Sequence, residues 1–181
     1  MLYPWKTKSS ENIFKSKWMR LRRDTCVLPS GREIDDYYVM EVPDGAAIIA
    51  ITENNELVLV RQYKHGYGQL VLELPAGIVE DKEDSSEAVI RELQEETGYK
   101  ASNVEFITSL ITKPARLSGR TLIYFADKVV IDSQKVENDA EVIEVVLVPI
   151  NNLPSLIQSG GIVTETTLAA LMVVWSRLVF V

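Results

Sequence analysis

The hydrophobic and polar positions of the chain fall into short runs whose period changes several times. Residues 17–28 and 33–42 are extended runs on either side of Pro29-Ser30-Gly31-Arg32, a turn of hairpin length. They predict a small N-terminal β unit. Asp44-Gly45 marks a boundary, and Ala46 to Thr52, rich in Ile and Ala, reads as a buried strand that turns at Glu53-Asn54-Asn55 into Leu57 to Tyr63. This hairpin opens a main domain. Leu70 to Leu74 is a further short strand stopped by Pro75 and Gly77, and an acidic loop follows. Asp84-Ser85-Ser86-Glu87 has the form of a capping box, so Asp84 is expected to cap a helix that runs to Gly98, a natural C′ residue. Strands are expected near 103–111, 121–131 and 141–148, with Pro114 and Gly119 in the loop between the first two. Residues 150–158 and 164–179 read as closing helices, the second apolar on nearly every side. This order predicts an α/β fold in which a mixed sheet lies between helices. Residues 1–44 are expected to form the N-terminal β unit and residues 45–181 the main domain.

At 181 residues the chain is long enough to bury a core, and 46% hydrophobic with 25% charged residues is ordinary for a soluble globular protein. The net charge of -7 argues against nucleic acid as a partner, because phosphate backbones need a basic surface. An acidic protein that handles phosphates must bring cations. Cys26 is the one cysteine, so no intrachain disulfide forms and a reducing cytoplasm is the expected compartment. The N-terminus lacks an apolar core of signal-peptide length, and no run of 18 apolar residues occurs, so no membrane association is expected. Residues 1–23 hold seven Lys/Arg and one Glu, but Trp5, Trp18 and Met19 lead without a break into strand-like sequence.

The chemically informative stretch begins at Gly77 and ends at Tyr99. On a helix, Glu92, Glu95 and Glu96 fall within one arc of about 100°, and Val89, Ile90, Leu93 and Thr97 fill the neighbouring arc. One stripe is expected to pack on the sheet while the next is a row of carboxylates. Glu92 and Glu96 are like charges at i,i+4 with no basic residue in a compensating helical position, which calls for a cation. Carboxylates on a rigid element suit Mg²⁺ or Mn²⁺. The other reading is a solvated acidic face, since Glu87, Arg91 and Glu95 could form a surface ion-pair ladder.

Gly77, five residues, Glu83, seven residues, Arg91-Glu92-Leu93, one residue, Glu95-Glu96, one residue, then Gly98 resembles the Nudix box at every fixed position. Tyr99 departs mildly, an aliphatic being commoner there. The resemblance implies the Nudix fold, an α/β/α sandwich with the box as loop, helix and loop. It implies hydrolysis of a nucleoside diphosphate linked to another moiety, with Mg²⁺ (or Mn²⁺) as cofactor. By the same similarity Glu92 and Glu96 would be the main metal ligands, Glu95 would assist, and the Ala76 carbonyl would contribute from the loop. Arg91 would orient carboxylates by ion pairing, and Glu83 would be structural or an outer ligand.

Val60 to Lys64 and Leu72-Glu73-Leu74-Pro75-Ala76-Gly77 look like the approach to the box in ADP-ribose and nucleoside-diphosphate-sugar pyrophosphatases. Pro114, sixteen residues beyond Gly98, has the spacing of a proline that marks the ADP-ribose group. The N-terminal β unit resembles that branch too, where it helps form a homodimer and contributes to the substrate pocket. Two departures bear on substrate choice. Lys64 stands where Arg is usual and lacks the planar fork that suits phosphate, and the loop after Pro114 reads Ala115-Arg116-Leu117-Ser118-Gly119-Arg120 rather than Pro-Gly. The base of this branch comes from an acidic loop before a late strand. Glu141 aligns best there, with Asp139 and Glu95 as alternatives. Lys64, Glu73, Arg116 and Trp18 complete the expected substrate contacts.

The expected reaction is hydrolysis of ADP-ribose or a related nucleoside-diphosphate sugar to a nucleoside monophosphate and a sugar phosphate. Nucleoside triphosphates or dinucleoside polyphosphates are the alternative substrates. A non-catalytic nucleotide-sensing module on the same fold is the alternative class.

Overall fold

The computed structural model describes residues 2–132 and 142–179. It divides into two compact units, Met1–Asp44 with Ile111–Arg120, and Gly45–Leu110 with Thr121–Val181. The loop at 111–120 thus belongs with the N-terminal β unit, although both its ends run into the main domain.

In the first unit, β1 (Lys6–Lys15), β2 (Arg20–Val27) and β3 (Glu33–Glu41) form an antiparallel sheet in the order β1-β2-β3. Strand β1 lies within the basic N-terminal stretch, and all ten of its residues are exposed. No alternation of buried and exposed positions marks it, which is why the hydrophobic pattern shows the second and third strands but not the first. Cys26 is buried and free, as a packing residue would be. Segment 111–120 joins this unit through backbone bonds from Met40 N–H to Arg116 O (2.8 Å) and from Ser118 N–H to Met40 O (3.2 Å). The Tyr37 hydroxyl donates to Ala115 O at 2.7 Å, and the Arg116 guanidinium lies 5.0 Å from the Tyr37 ring centre. A side chain on Gly119 would meet Pro43 O at 2.7 Å, so only glycine lets the loop approach so closely.

The second unit is built on a mixed sheet. Strands β4 (Gly45–Thr52), β5 (Glu56–Lys64), β6 (Gln69–Glu73) and β7 (Ala76–Ile78) precede helix α1 (Ser85–Thr97). Then come β8 (Tyr99–Lys100), β9 (Glu105–Leu110), β10 (Thr121–Ile131) and β11 (Ile143–Pro149), a 3₁₀ turn at Ile150–Asn152, and helices α2 (Leu153–Gln158) and α3 (Glu165–Val179). The main path runs β11-β5-β4-β10-β8, with β6 on β5, β7 on β4 and β9 on β10. Strands β4 and β10 are parallel and the other pairs antiparallel.

Strand β4 is buried on both faces, which explains its unbroken apolar run. Ala46, Ile48 and Ala50 pack with Val89 and Leu93 of α1. Ala47, Ile49 and Ile51 point the other way, onto Leu153 of α2 and Ala170, Leu171 and Val174 of α3. Helices therefore cover both faces of the sheet, the expected α/β/α layering. The single closing helix expected over 150–158 is instead a 3₁₀ turn followed by a short helix, with Pro154 at its start. On α3, Met172 and Val173 are the exposed members of its apolar surface. Among the described residues, no helix is long and apolar enough to cross a membrane.

Candidate active site

Helix α1 begins and ends where its sequence says it should. The Asp84 carboxylate accepts from Ser86 N–H at 2.8 Å, and Gly98 adopts φ 75° with its N–H returned to Gln94 O. Hydrogen bonds from Ser86 hold the Asp84 carboxyl below its ordinary value. Ala88, Val89, Leu93, Glu96 and Thr97 are the buried residues of the helix, so one carboxylate, Glu96, is carried into the protein with the apolar stripe.

Glu96 is only 7% exposed. Its Oε2 accepts from Ala76 N–H at 3.0 Å. Burial pushes its carboxyl up to about 8, and the charges of Glu92 and Glu73 push the same way, against the Ala76 N–H and the charge of Lys64. Glu92 lies against the start of the box, since a side chain on Gly77 would meet Glu92 Oε1 at 1.9 Å. Gly77 leaves room for that carboxylate.

Arg91 organises the remaining acids. Its Nε donates to Glu83 Oε1 at 2.9 Å and its Nη2 to Glu83 Oε2 at 3.1 Å. From Nη1 it reaches Glu92 Oε1 at 2.8 Å and Glu95 Oε2 at 3.2 Å, and Nη2 also donates to Ile78 O at 3.3 Å. The paired guanidinium, with help from Glu80 N–H, holds Glu83 below the usual carboxylate range, and the same acids push Arg91 upward. The expectation that no base compensates the glutamate pair needs correcting, because Arg91 serves Glu92 from the adjacent position. A flexible arginine can do this where helix geometry predicts contacts only at i,i+3 and i,i+4. The surface ladder forms only in its Arg91 to Glu95 rung; the arginine's two-point partner is Glu83 from the preceding loop.

A cleft of about 200 Å³ opens beside this cluster. Lys64, Glu73, Ala76 and Gly77 line it together with Thr121, Thr166 and Thr167. Lys64 Nζ is 2.6 Å from Glu73 Oε1, which also accepts from Gln62 Nε2 at 3.0 Å. Among the described residues, no three His, Cys, Asp or Glu side chains gather at metal-ligand spacing. Glu92 and Glu95 turn onto Arg91 instead, and Glu73 onto Lys64.

Of the residues singled out from sequence, the second unit thus assembles Ala76, Arg91, Glu92, Glu95 and Glu96, with Lys64 and Glu73 lining the adjoining cleft. Of Glu92, Glu95 and Glu96, Glu95 is the most exposed, its side chain at 49%. Trp18 and Arg116 belong to the first unit. Trp18 is exposed with Lys17 Nζ 4.2 Å from its ring centre, while Arg116 donates to Tyr38 O at 3.3 Å and covers Tyr37. Glu141 and its alternative Asp139 lie outside the described residues. Sequence reasoning misses the threonines of the cleft. A signal exists for Thr167, a hydroxyl on the buried stripe that α3 continues through Ala170, Leu171 and Val174.

The profile of the NUDIX domain matches residues 42–166, and that of the nucleoside diphosphate sugar hydrolase N-terminal domain matches residues 5–40. The chain is 28% identical over 167 residues to the ADP-ribose pyrophosphatase of Bacillus subtilis (strain 168), covering 92% of this chain and 90% of that protein. It is 28% identical over 180 residues to the ADP-sugar pyrophosphatase of Mus musculus, covering 90% and 81%. A methanol dehydrogenase activator from Bacillus methanolicus is 34% identical over 129 residues, covering 71% of this chain and 64% of that protein. A crystal structure of an ADP compounds hydrolase superposes with a TM-score of 0.86 at 23% identity, covering 98% and 96%, which shows the shared fold. With its box intact on α1, its sheet between helices and a domain match over most of its length, the chain belongs to the Nudix hydrolase family.

Proposed function

We propose that this protein hydrolyses the diphosphate bond of ADP-ribose or a related nucleoside-diphosphate sugar, giving a nucleoside monophosphate and a sugar phosphate. The observation that carries this reading is Glu96, a carboxyl group buried on a rigid helix beside Glu92 and raised to about 8 by that burial, with the charges of Glu92 and Glu73 adding to it. Such a group is costly unless a cation joins it. Similarity over 92% and 90% of this chain to pyrophosphatases of ADP-ribose and ADP-sugars supports the substrate class.

The donor set is all hard oxygen and fits Mg²⁺, with Mn²⁺ as the alternative. Glu92, Glu96 and the Ala76 carbonyl would hold it, with Glu95 assisting. Bound there, the ion would offset charge on the diphosphate oxygens and lower the pKa of water. Arg91 fixes the direction of Glu92 and Glu95 and ties both to Glu83. Lys64, which lines the cleft, would meet a phosphate oxygen, and Glu73, its partner, would set its position. Arg116 and Trp18 would contribute to substrate binding from the N-terminal unit. Glu141, with Asp139 or Glu95 as the alternative, would take the proton from water as its oxygen bonds to phosphorus and the bridging P–O bond breaks.

The same reading makes the protein a cytoplasmic homodimer joined through its N-terminal unit. Light scattering of the purified chain tests the dimer. The decisive assay offers ADP-ribose, GDP-mannose, UDP-glucose, ATP and diadenosine polyphosphates with Mg²⁺ and with Mn²⁺. Release of AMP and ribose 5-phosphate from ADP-ribose is expected, and activity confined to triphosphates would move the protein to another branch of its family.

A further inference from the structure

The turn that leads into the box is held from three sides. Leu74 follows the last β5–β6 pair, Val60 with Glu73, so its amide has passed the end of the ladder. Pro75 brings no N–H. The turn therefore owns two donors, one on Leu74, which is buried, and one on Ala76, which is exposed but whose N–H points to a buried carboxyl group. Ala76 N–H goes to Glu96 on α1 at 3.0 Å, and Pro75 O accepts from Ile48 N–H on β4 at 3.1 Å. Leu74 N–H goes to Thr167 Oγ1 on α3 at 3.2 Å, 93 residues away in sequence. Thr167 is 2% exposed, and its oxygen also accepts from Thr164 Oγ1 at 2.8 Å. Its neighbours along the buried stripe of α3 are apolar, so packing alone would be served by valine.

We propose that Thr167 is a positioning residue for the active site: by accepting the Leu74 amide it sets the turn so that Ala76 N–H meets Glu96. The proposal rests on the function proposed above for the role it gives Glu96. Thr167 lines the cleft, but the role proposed for it is exercised through the backbone of 74–76.

The test compares Thr167→Val, which keeps the shape and removes the acceptor, with Thr167→Ser, which keeps the acceptor, and with Val174→Ala, a core truncation on the same helix. Amide hydrogen exchange at Leu74 and Ala76 is read first, on the metal-free chain. Exchange at both should quicken roughly tenfold in T167V, stay at the wild-type rate in T167S, and be unmoved in V174A even though V174A melts at lower temperature. Titration with Mn²⁺ alone should then show roughly tenfold weaker binding in T167V and rescue in T167S, with kcat for ADP-ribose falling while KM holds. If T167V does not fold, Thr167→Ala removes the same acceptor without bulk and is read in the same way. Unchanged Ala76 exchange in the acceptor-less variant, or equal quickening in V174A, would overturn the proposal. A wild-type chain that neither binds Mn²⁺ nor cleaves ADP-ribose, yet whose Ala76 exchange still answers to Thr167, would sink the proposed function and leave the positioning intact.

Discussion

The Arg91 guanidinium meets the Glu83 carboxylate at two points, 2.9 Å and 3.1 Å, and has a third nitrogen left over for Glu92 and Glu95. Lysine at this position would keep the charge but gather its three donors on one nitrogen, without the planar fork that meets both oxygens of Glu83. Arg91→Lys is expected to lower kcat roughly 10- to 100-fold with the fold retained, the range seen when supports of metal-ligating side chains are removed. Steady-state kinetics beside circular dichroism would check it; near-native turnover would show that the fork is dispensable.

Glu96 provides a prediction in pH. Its ordinary value is 4.5 and burial lifts it to about 8, so the folded chain holds this proton more tightly than the unfolded one. The resulting stability is fully present below the ordinary value and is lost as pH rises through about 8. In chelator, the melting temperature should therefore fall across this window, and Glu96→Gln should flatten the fall. Added Mg²⁺ should restore the wild-type melting temperature at the alkaline end but not that of E96Q, which should also lack turnover. Parallel pH slopes for the two proteins would refute the assignment.

At Gly77 the limit is steric. A methyl group there would sit 1.9 Å from Glu92 Oε1, so Gly77→Ala must displace the Glu92 carboxylate or the loop. Turnover should drop by roughly two orders of magnitude, as for displaced catalytic groups, while the denaturation midpoint changes little. A G77A enzyme as fast as wild type would mean that Glu92 is free to move without consequence.

Lys64, its Nζ 2.6 Å from Glu73, is the cationic residue in the lining of the cleft. Lys64→Ala is expected to raise KM for ADP-ribose roughly tenfold, the value of one hydrogen bond to a charged group, with a smaller effect on kcat. Lys64→Arg should restore KM. A change in kcat alone would place this residue in the chemistry rather than in binding.

How much of this is legible in the sequence depends on whether a feature is written locally. The helix limits are, because Asp84 and Gly98 do their capping within a few residues of themselves. The placing of Glu92, Glu95 and Glu96 on one helix is legible too, but the burial of Glu96 with the apolar stripe, apart from an exposed Glu95, is not. Strand β7 is not legible: Ala76–Ile78 reads as loop after a proline, and it is extended because β4 offers partners to it. The Arg91 contact to Glu92 escapes because it depends on rotamers rather than on spacing. Thr167 escapes because its partner is 93 residues distant.

Segment 111–120 bonds to β3 while its two ends are continuous with β9 and β10. The polypeptide consequently crosses from one unit to the other three times, after residues 44, 110 and 120. A chain trimmed to begin at Gly45 would not be a clean excision. It would leave the loop, Arg116 and Pro114 within it, stripped of the backbone partners that Met40 supplies. Any loss of activity in such a truncation therefore reports on this loop as much as on the missing strands.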